Sequence, residues 1–352
     1  MLKNLLLLLA SSILSFGALE IVLRITMPER LAFVPVMENN SLTYVPNQTQ
    51  RSRHIEWDYT IDINSDGFRN DKNLVEINNS TILSLGDSFA EGYGVSLDET
   101  YSKQLEKILR NSEETVHVFN AGHSGTNPAY YRLIYDELFR RNTNIERVII
   151  GFFVGNDLFT STTKLDGHLR VGNEYGEGWR YKLKVFLGSH VALYAVANHV
   201  LKANARLNKW CKKLGACDDP PLLAVYSTAF IDKTVPRTIE YLAQLAQQIA
   251  SDGREAIVLI IPTREQVDDE LWTGLVSRYG DEINNNRLTV NNRLVEGLEN
   301  AKVDVIDFTP TAIAHSRNKP DKLYFRYDGH WTALGHELAA KQLARFIETQ
   351  EP

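Results

Sequence analysis

Cysteine is scarce in this sequence: of 352 residues, only Cys211 and Cys217 carry a thiol. That scarcity excludes a small disulfide-built scaffold. The pair brings no partners for a zinc site. In an exported domain the two would close a small loop; otherwise they are structural thiols. Excess positive charge is also missing. The formal net charge is −6, which argues against a broad polyanion-binding surface, so nucleic acid is not an expected partner. The sequence has no zinc-ligand cluster, glycine-rich phosphate loop, internal repeat or lipobox cysteine. No metal or organic cofactor is expected.

What remains is an ordinary globular composition, 43% hydrophobic and 23% charged, in a chain long enough to bury a sizeable core. The exception is the amino terminus. Lys3 precedes the run Leu5 to Leu9, and apolar residues continue through Ile13, Leu14, Phe16 and Leu19. This reads as an export signal, either retained as a membrane anchor or cleaved near Ser15-Phe16-Gly17. Glu20 and Arg24 lie within the extension to Ile25. Charges near the end of a span cost less than at its centre, so an uncleaved anchor with the remaining chain outside the cytosol is the expected form.

Hydrophobic periodicity orders the rest. Short apolar runs at 81–85, 116–120, 147–154, 256–261 and 303–308 predict strands. Amphipathic stretches at about 98–111, 128–141, 236–250, 291–300 and 333–348 predict helices. Such alternation predicts an α/β fold, a three-layer sandwich with a mostly parallel sheet of about five strands. Residues 158–230 break the alternation and read as an insertion, with a helical middle from Lys182 to Leu207. Trp179, Tyr181, Phe186 and Tyr194 there form either a sugar-stacking wall or plain helix packing. Residues 30–60 read as an extended or sheet-edge segment.

The chemistry sits beside these strands. Gly86-Asp87-Ser88-Phe89 follows the apolar run Thr81 to Leu85 at once, with glycines at 92 and 94. A serine there lies at the carboxyl edge of the sheet, where open α/β folds bind ligands. Asp328-Gly329-His330-Trp331 near the far end offers a base for that hydroxyl and a carboxylate to orient the base. Between them lie Asn120-Ala121-Gly122-His123-Ser124-Gly125-Thr126-Asn127 and Gly155-Asn156-Asp157. A glycine N–H and an asparagine amide are the donors an oxyanion needs.

These four blocks, in this order, resemble the SGNH (GDSL-type) hydrolase family, over roughly residues 60–350. The resemblance implies a flavodoxin-like SGNH hydrolase fold. It implies Ser88 as nucleophile, His330 as base and Asp328 as orienting acid. It also implies an oxyanion hole built from the Ser88 and Gly125 N–H groups and the Asn156 amide. Gly125 is preferred to Gly122 because the family glycine follows the Asn-Ala pair by a few positions. The lead-in Ile63-Asn64-Ser65-Asp66-Gly67-Phe68-Arg69 is similar to that of envelope-associated members. Two positions depart from the family: Val154 stands where the third block has glycine, and Gly329 alone separates Asp328 from His330. That shorter spacing is similar to alginate-acetylating periplasmic relatives.

The expected organisation is therefore a signal or anchor helix at 1–28, a linker and lead-in at 29–75, and an SGNH hydrolase domain at 76–352 with its insertion at 158–230. The expected activity is a serine esterase acting on an acyl ester, with O-acetyl groups on carbohydrate among its substrates. The alternatives are an O-acyltransferase on a cell-envelope glycan and a catalytically silent glycan-binding module. Asp87 and Asp157 are read as braces for the site loops, and His123 and His336 as structural or surface residues. Arg264 is either a salt-bridged surface arginine or a contact for an anionic substrate group.

Overall fold

The computed structural model describes residues 2–26, 42–54, 56–77, 80–110, 116–158, 191, 193–194, 225–280, 283–284, 286–318 and 322–350. Cys211, Cys217, Trp179, Tyr181, Phe186 and nearly all of the expected insertion lie outside these residues. The chain divides into two compact units. One comprises Met1–Val36, Arg51–Tyr59 and Asn173–Asp219; the other holds Met37–Gln50, Thr60–Gly172 and Pro220–Pro352.

In the first unit, the leucine-rich amino terminus forms helix α1 (Leu2–Thr26). Its Glu20 carboxylate accepts the Leu193 backbone N–H at 2.8 Å, a polar partner within the protein. Among the described residues no helix is long and apolar enough to cross a membrane. Helix α1 lies in the segment read as a signal or anchor, and the expected membrane anchoring is not supported. Strands β1 (Thr49–Arg53) and β2 (Asp58–Asp62), which neither unit holds whole, make a two-stranded sheet.

The second unit carries a five-stranded, all-parallel sheet. Its strands are β3 (Thr81–Gly86), β4 (His117–Gly122), β5 (Ile145–Phe153), β6 (Glu255–Ile261) and β7 (Asp304–Asp307), in the order β4-β3-β5-β6-β7. The expected α/β sandwich is what the sequence folds into. Alternate side chains leave each strand on opposite faces, so two cores form. Leu83, Leu85, Val148, Ile150, Val258 and Ile260 point into one; Ile82, Val118, Ile149, Ile257 and Leu259 point into the other. Near-continuous apolar strands are what a sheet covered on both faces requires.

Helices α2 (Ser88–Glu91), α3 (Tyr101–Arg110) and α4 (Pro128–Ile134) follow the first strands. Then come α5 (Thr228–Ser251), α6 (Arg264–Val267), α7 (Asp269–Tyr279), α8 (Thr289–Asn300), α9 (Thr309–Asn318) and α10 (Ala333–Gln350). Residues of α4, α5 and α8 fill the first core; residues of α3, α9 and α10 fill the second.

Two of the expected helices differ in their bounds or regularity. The stretch beginning at Pro128 is regular only to Ile134 and continues as a π-type turn over Tyr135–Phe139. α5 begins at Thr228, eight residues before the proline read as its start, and keeps Pro236 inside. Ile231 and Val235 are both buried there. Core burial on those eight added residues offsets the hydrogen bond that an internal proline forfeits.

Candidate active site

Because all five strands are parallel, their carboxyl ends share one edge, and the strand order reverses direction between β3 and β5. That is the crevice where such sheets bind ligands. Ser88 follows β3, and Asn156 follows β5.

A row of glycines lets the nucleophile turn sit on the strand ends. Gly86 pairs with Gly122 on one side and Gly151 on the other. A Cβ on Gly86 would lie 2.5 Å from the Ala90 Cβ, and one on Gly122 only 2.2 Å from the Glu91 nitrogen. Both distances are below any real contact, so only glycine admits α2 here. Asp87 caps α2 by accepting the Phe89 N–H at 2.9 Å. Gly92 closes it in the left-handed region (φ 87°), its N–H reaching the Ser88 carbonyl at 3.1 Å.

The structure brings Ser88, His330 and Asp328 into one hydrogen-bonded chain. Ser88 Oγ lies 2.7 Å from His330 Nε2. His330 Nδ1 contacts Asp328 Oδ1, which also accepts the His330 backbone N–H at 3.1 Å. The short Asp-Gly-His spacing works because Gly329 has φ 92° and open space where a Cβ would be. The left-handed turn folds the carboxylate back onto the residue two positions on, as an Asx turn does.

That loop is a small hairpin. Tyr324 and Trp331 form an antiparallel bridge, and the Phe325 N–H donates to the His330 carbonyl at 2.8 Å. Arg264 Nη1 donates to the Phe325 carbonyl at 3.2 Å and to that of Arg326, with Glu265 3.5 Å from its Nη2. Arg264 thus holds the loop that carries Asp328. The imidazole itself is walled by Phe89 and Tyr93, with ring centroids at 4.9 and 4.7 Å.

Asn156 is placed by Asp87. Its Nδ2 donates to Asp87 Oδ2 at 3.1 Å, which uses one of the two amide N–H bonds and leaves the other. Asp87 is fully buried. Burial pushes its carboxyl up to about 6, against the pull of its N–H donors and of His330. Asp157 accepts the Phe153 N–H at 2.9 Å and the Tyr131 hydroxyl at 3.1 Å. Burial and the nearby Asp87 push Asp157 well above the usual carboxylate range. Both aspartates therefore brace the loops, as read from the sequence.

Gly125 lies in the turn after β4, with φ 75° and nothing within 4 Å of a would-be Cβ. The turn is fixed against β3: the His123 N–H donates to the Gly86 carbonyl at 2.9 Å. Gly122, by contrast, spends its N–H on Asn120 Oδ1 at 2.9 Å. It is therefore not a free donor, which agrees with the preference for Gly125.

His336 is buried and accepts the Tyr101 N–H at 3.2 Å; burial pushes its imidazole down to about 3. A neutral ring at the start of α3 is structural. His123 is buried as well, and burial lowers its imidazole.

Three residues with clear duties at the site escaped sequence reasoning. Arg69, almost fully buried, donates to the carbonyls of Glu91 (3.2 Å), Gly92 (2.7 Å) and Val95 (2.6 Å), gripping the end of α2. Tyr44 and Glu91 meet beneath the second block. The one available signal was the lead-in that ends at Arg69; nothing local marks Tyr44 or Glu91.

Residues 226–352 match the family described as SGNH hydrolase-like domain, acetyltransferase AlgX. That match includes Asp328 and His330; Ser88, Gly125 and Asn156 precede it. No curated protein matches the chain. Among solved structures, a putative lipolytic protein of the G-D-S-L family from Desulfitobacterium hafniense DCB-2 is similar, at 13% identity and TM-score 0.41. The alignment covers 76% of this chain and 99% of that one. A G-D-S-L family member from Veillonella parvula DSM 2008 is similar at 16% identity, TM-score 0.41, covering 77% and 100%. A catalytic mutant of Axe2, an acetylxylan esterase from Geobacillus stearothermophilus, is similar at 12% identity, TM-score 0.43, covering 77% and 96%. Likenesses this low carry no functional weight. The family model that matches Tyr226 to Pro352 is of the kind to which the four blocks pointed, an SGNH hydrolase-like domain.

Proposed function

We propose that the protein is a serine esterase that cleaves short acyl esters, O-acetyl groups among them, through an acyl-serine intermediate. The observation that carries this reading is the 2.7 Å contact between Ser88 Oγ and His330 Nε2, across 242 residues of chain. His330, held by Asp328, removes the Ser88 proton as Oγ attacks the ester carbonyl. The Ser88 and Gly125 N–H groups and the free Asn156 amide N–H meet the oxyanion. His330 then protonates the departing alcohol, the C–O bond breaks, and the acyl group stays on Ser88. Water, deprotonated by His330, releases it as a carboxylic acid.

A second reading uses the same residues: a sugar hydroxyl replaces water and receives the acyl group. The match of residues 226–352 to a domain described as an acetyltransferase favours it. One experiment separates the two. Aryl esters of rising acyl length are offered with and without a glycan acceptor. The proposal expects acetyl esters to turn over fastest, with free acid released in either condition. Acylated glycan accumulating at the expense of free acid would select transfer. No turnover of any ester, with or without acceptor, would overturn both.

A further inference from the structure

The turn that carries Gly125 is tied to the nucleophile helix by a buried carboxylate that the proposed mechanism does not use. Glu91 is the last residue of α2, three positions after Ser88, and is only 1% exposed. Its Oε2 accepts the Tyr44 hydroxyl at 2.7 Å and the Ser124 backbone N–H at 2.7 Å. Tyr44 Oη also lies 3.2 Å from that same N–H. The Tyr44 ring stacks on His123, centroids 3.8 Å apart and planes 17° apart. Tyr130 meets the imidazole edge-on at 5.4 Å. Ser124 is the residue immediately before Gly125, so holding its N–H anchors the peptide plane from which, through φ and ψ of Ser124 alone, the Gly125 N–H is aimed.

A buried carboxylate is costly unless paired, and here the pairing is with one neutral hydroxyl and one backbone amide. The Tyr44 hydroxyl is pushed well above its usual range, by burial first and by Glu91 second, so it stays a donor. Glycine at 125 has no side chain to hold its own orientation, and nothing lies within 4 Å of where a Cβ would be. Orientation must therefore come from its neighbours.

We infer that Glu91 is a positioning residue that, with Tyr44, sets the direction of the Gly125 N–H by holding the Ser124 amide against the nucleophile helix. This inference rests on the proposed serine mechanism. A misaimed donor lowers the rate of the chemical step and leaves ground-state binding nearly untouched.

The test uses the full chain and an aryl acetate. Glu91→Ala should lower kcat about 10- to 100-fold with KM within about twofold. Glu91→Gln keeps an acceptor oxygen for the Ser124 N–H, so it should recover most of that loss. Wild-type kcat in Glu91→Ala, or a raised KM at unchanged kcat, would overturn the inference. So would Glu91→Gln falling as low as Glu91→Ala. If Glu91→Ala does not fold, deuterium exchange at the Ser124 amide decides. Exchange in Glu91→Gln at least about tenfold faster than in wild type is expected, because a neutral acceptor bonds more weakly than a charged one. Unchanged exchange would contradict it. A wild-type protein that turns over no ester removes the serine mechanism instead, while the exchange measurement still reads whether Glu91 holds the turn.

Discussion

The two halves of the site are built differently. On the nucleophile side, Ser88 is 8% exposed, Asp87 fully buried and Glu91 1% exposed, and Arg69 grips three carbonyls behind them. On the other side, the Asp328 and His330 side chains are each 23% exposed, on a hairpin held by a β-bridge, backbone bonds and the Arg264 side chain. Buried polar groups fix the hydroxyl and the oxyanion donors, whose aim must not drift. The imidazole, which must exchange a proton with solvent-borne substrate and water, sits where water reaches it. Precision lies where charge develops, and access lies where protons move.

Substitutions on the two sides should then fail in different ways. Asp328→Asn leaves the hairpin intact but takes away the carboxylate that selects the His330 tautomer. We expect a loss of about 10⁴-fold in kcat/KM on an aryl acetate with little change in stability. A loss below tenfold would mean that the exposed half does not depend on its carboxylate. On the buried side, Asn156→Ala removes one oxyanion donor and should cost about 10²–10³-fold in kcat at near-constant KM. A variant as active as wild type would place the oxyanion elsewhere.

The smallest effect concerns stability alone. The Asp87 carboxyl is raised from 3.8 to about 6 in the fold. The folded state therefore binds the proton more tightly. The stability this lends is complete below pH 3.8 and is lost as pH rises through about 6. Asn at this position does not titrate. The stability of Asp87→Asn relative to wild type should therefore rise by up to about 3 kcal/mol between the two ends of that window. Urea unfolding at pH 3.5 and pH 8 checks this. A difference that stays flat with pH would show that burial does not raise the Asp87 carboxyl in the fold.

The same contrast explains what the sequence disclosed. Ser88, Asn156 and the Asp328-Gly329-His330 turn were legible because each follows an apolar strand or forms a compact local motif. The sheet was legible because its strands are apolar on both faces. Tyr44, Arg69 and Glu91 were not, since their partners lie 22 to 80 residues away and no local period marks them. Pro236 misled for a related reason: its local rule is to begin a helix, and burial of Ile231 and Val235 overrode that rule. Helices α7 and α9 escaped notice because neither shows a strong apolar stripe: α7 buries no residue fully, and α9 buries only Thr309 and Ala312.

The central claim is that the Ser88 hydroxyl is an activated nucleophile. A fluorophosphonate probe followed by peptide mass spectrometry tests it most directly. The account predicts a single adduct on Ser88, formed rapidly in the wild type, absent in Ser88→Ala and strongly slowed in His330→Ala. An unlabelled Ser88 in folded protein, or equal labelling in the His330 variant, would contradict it.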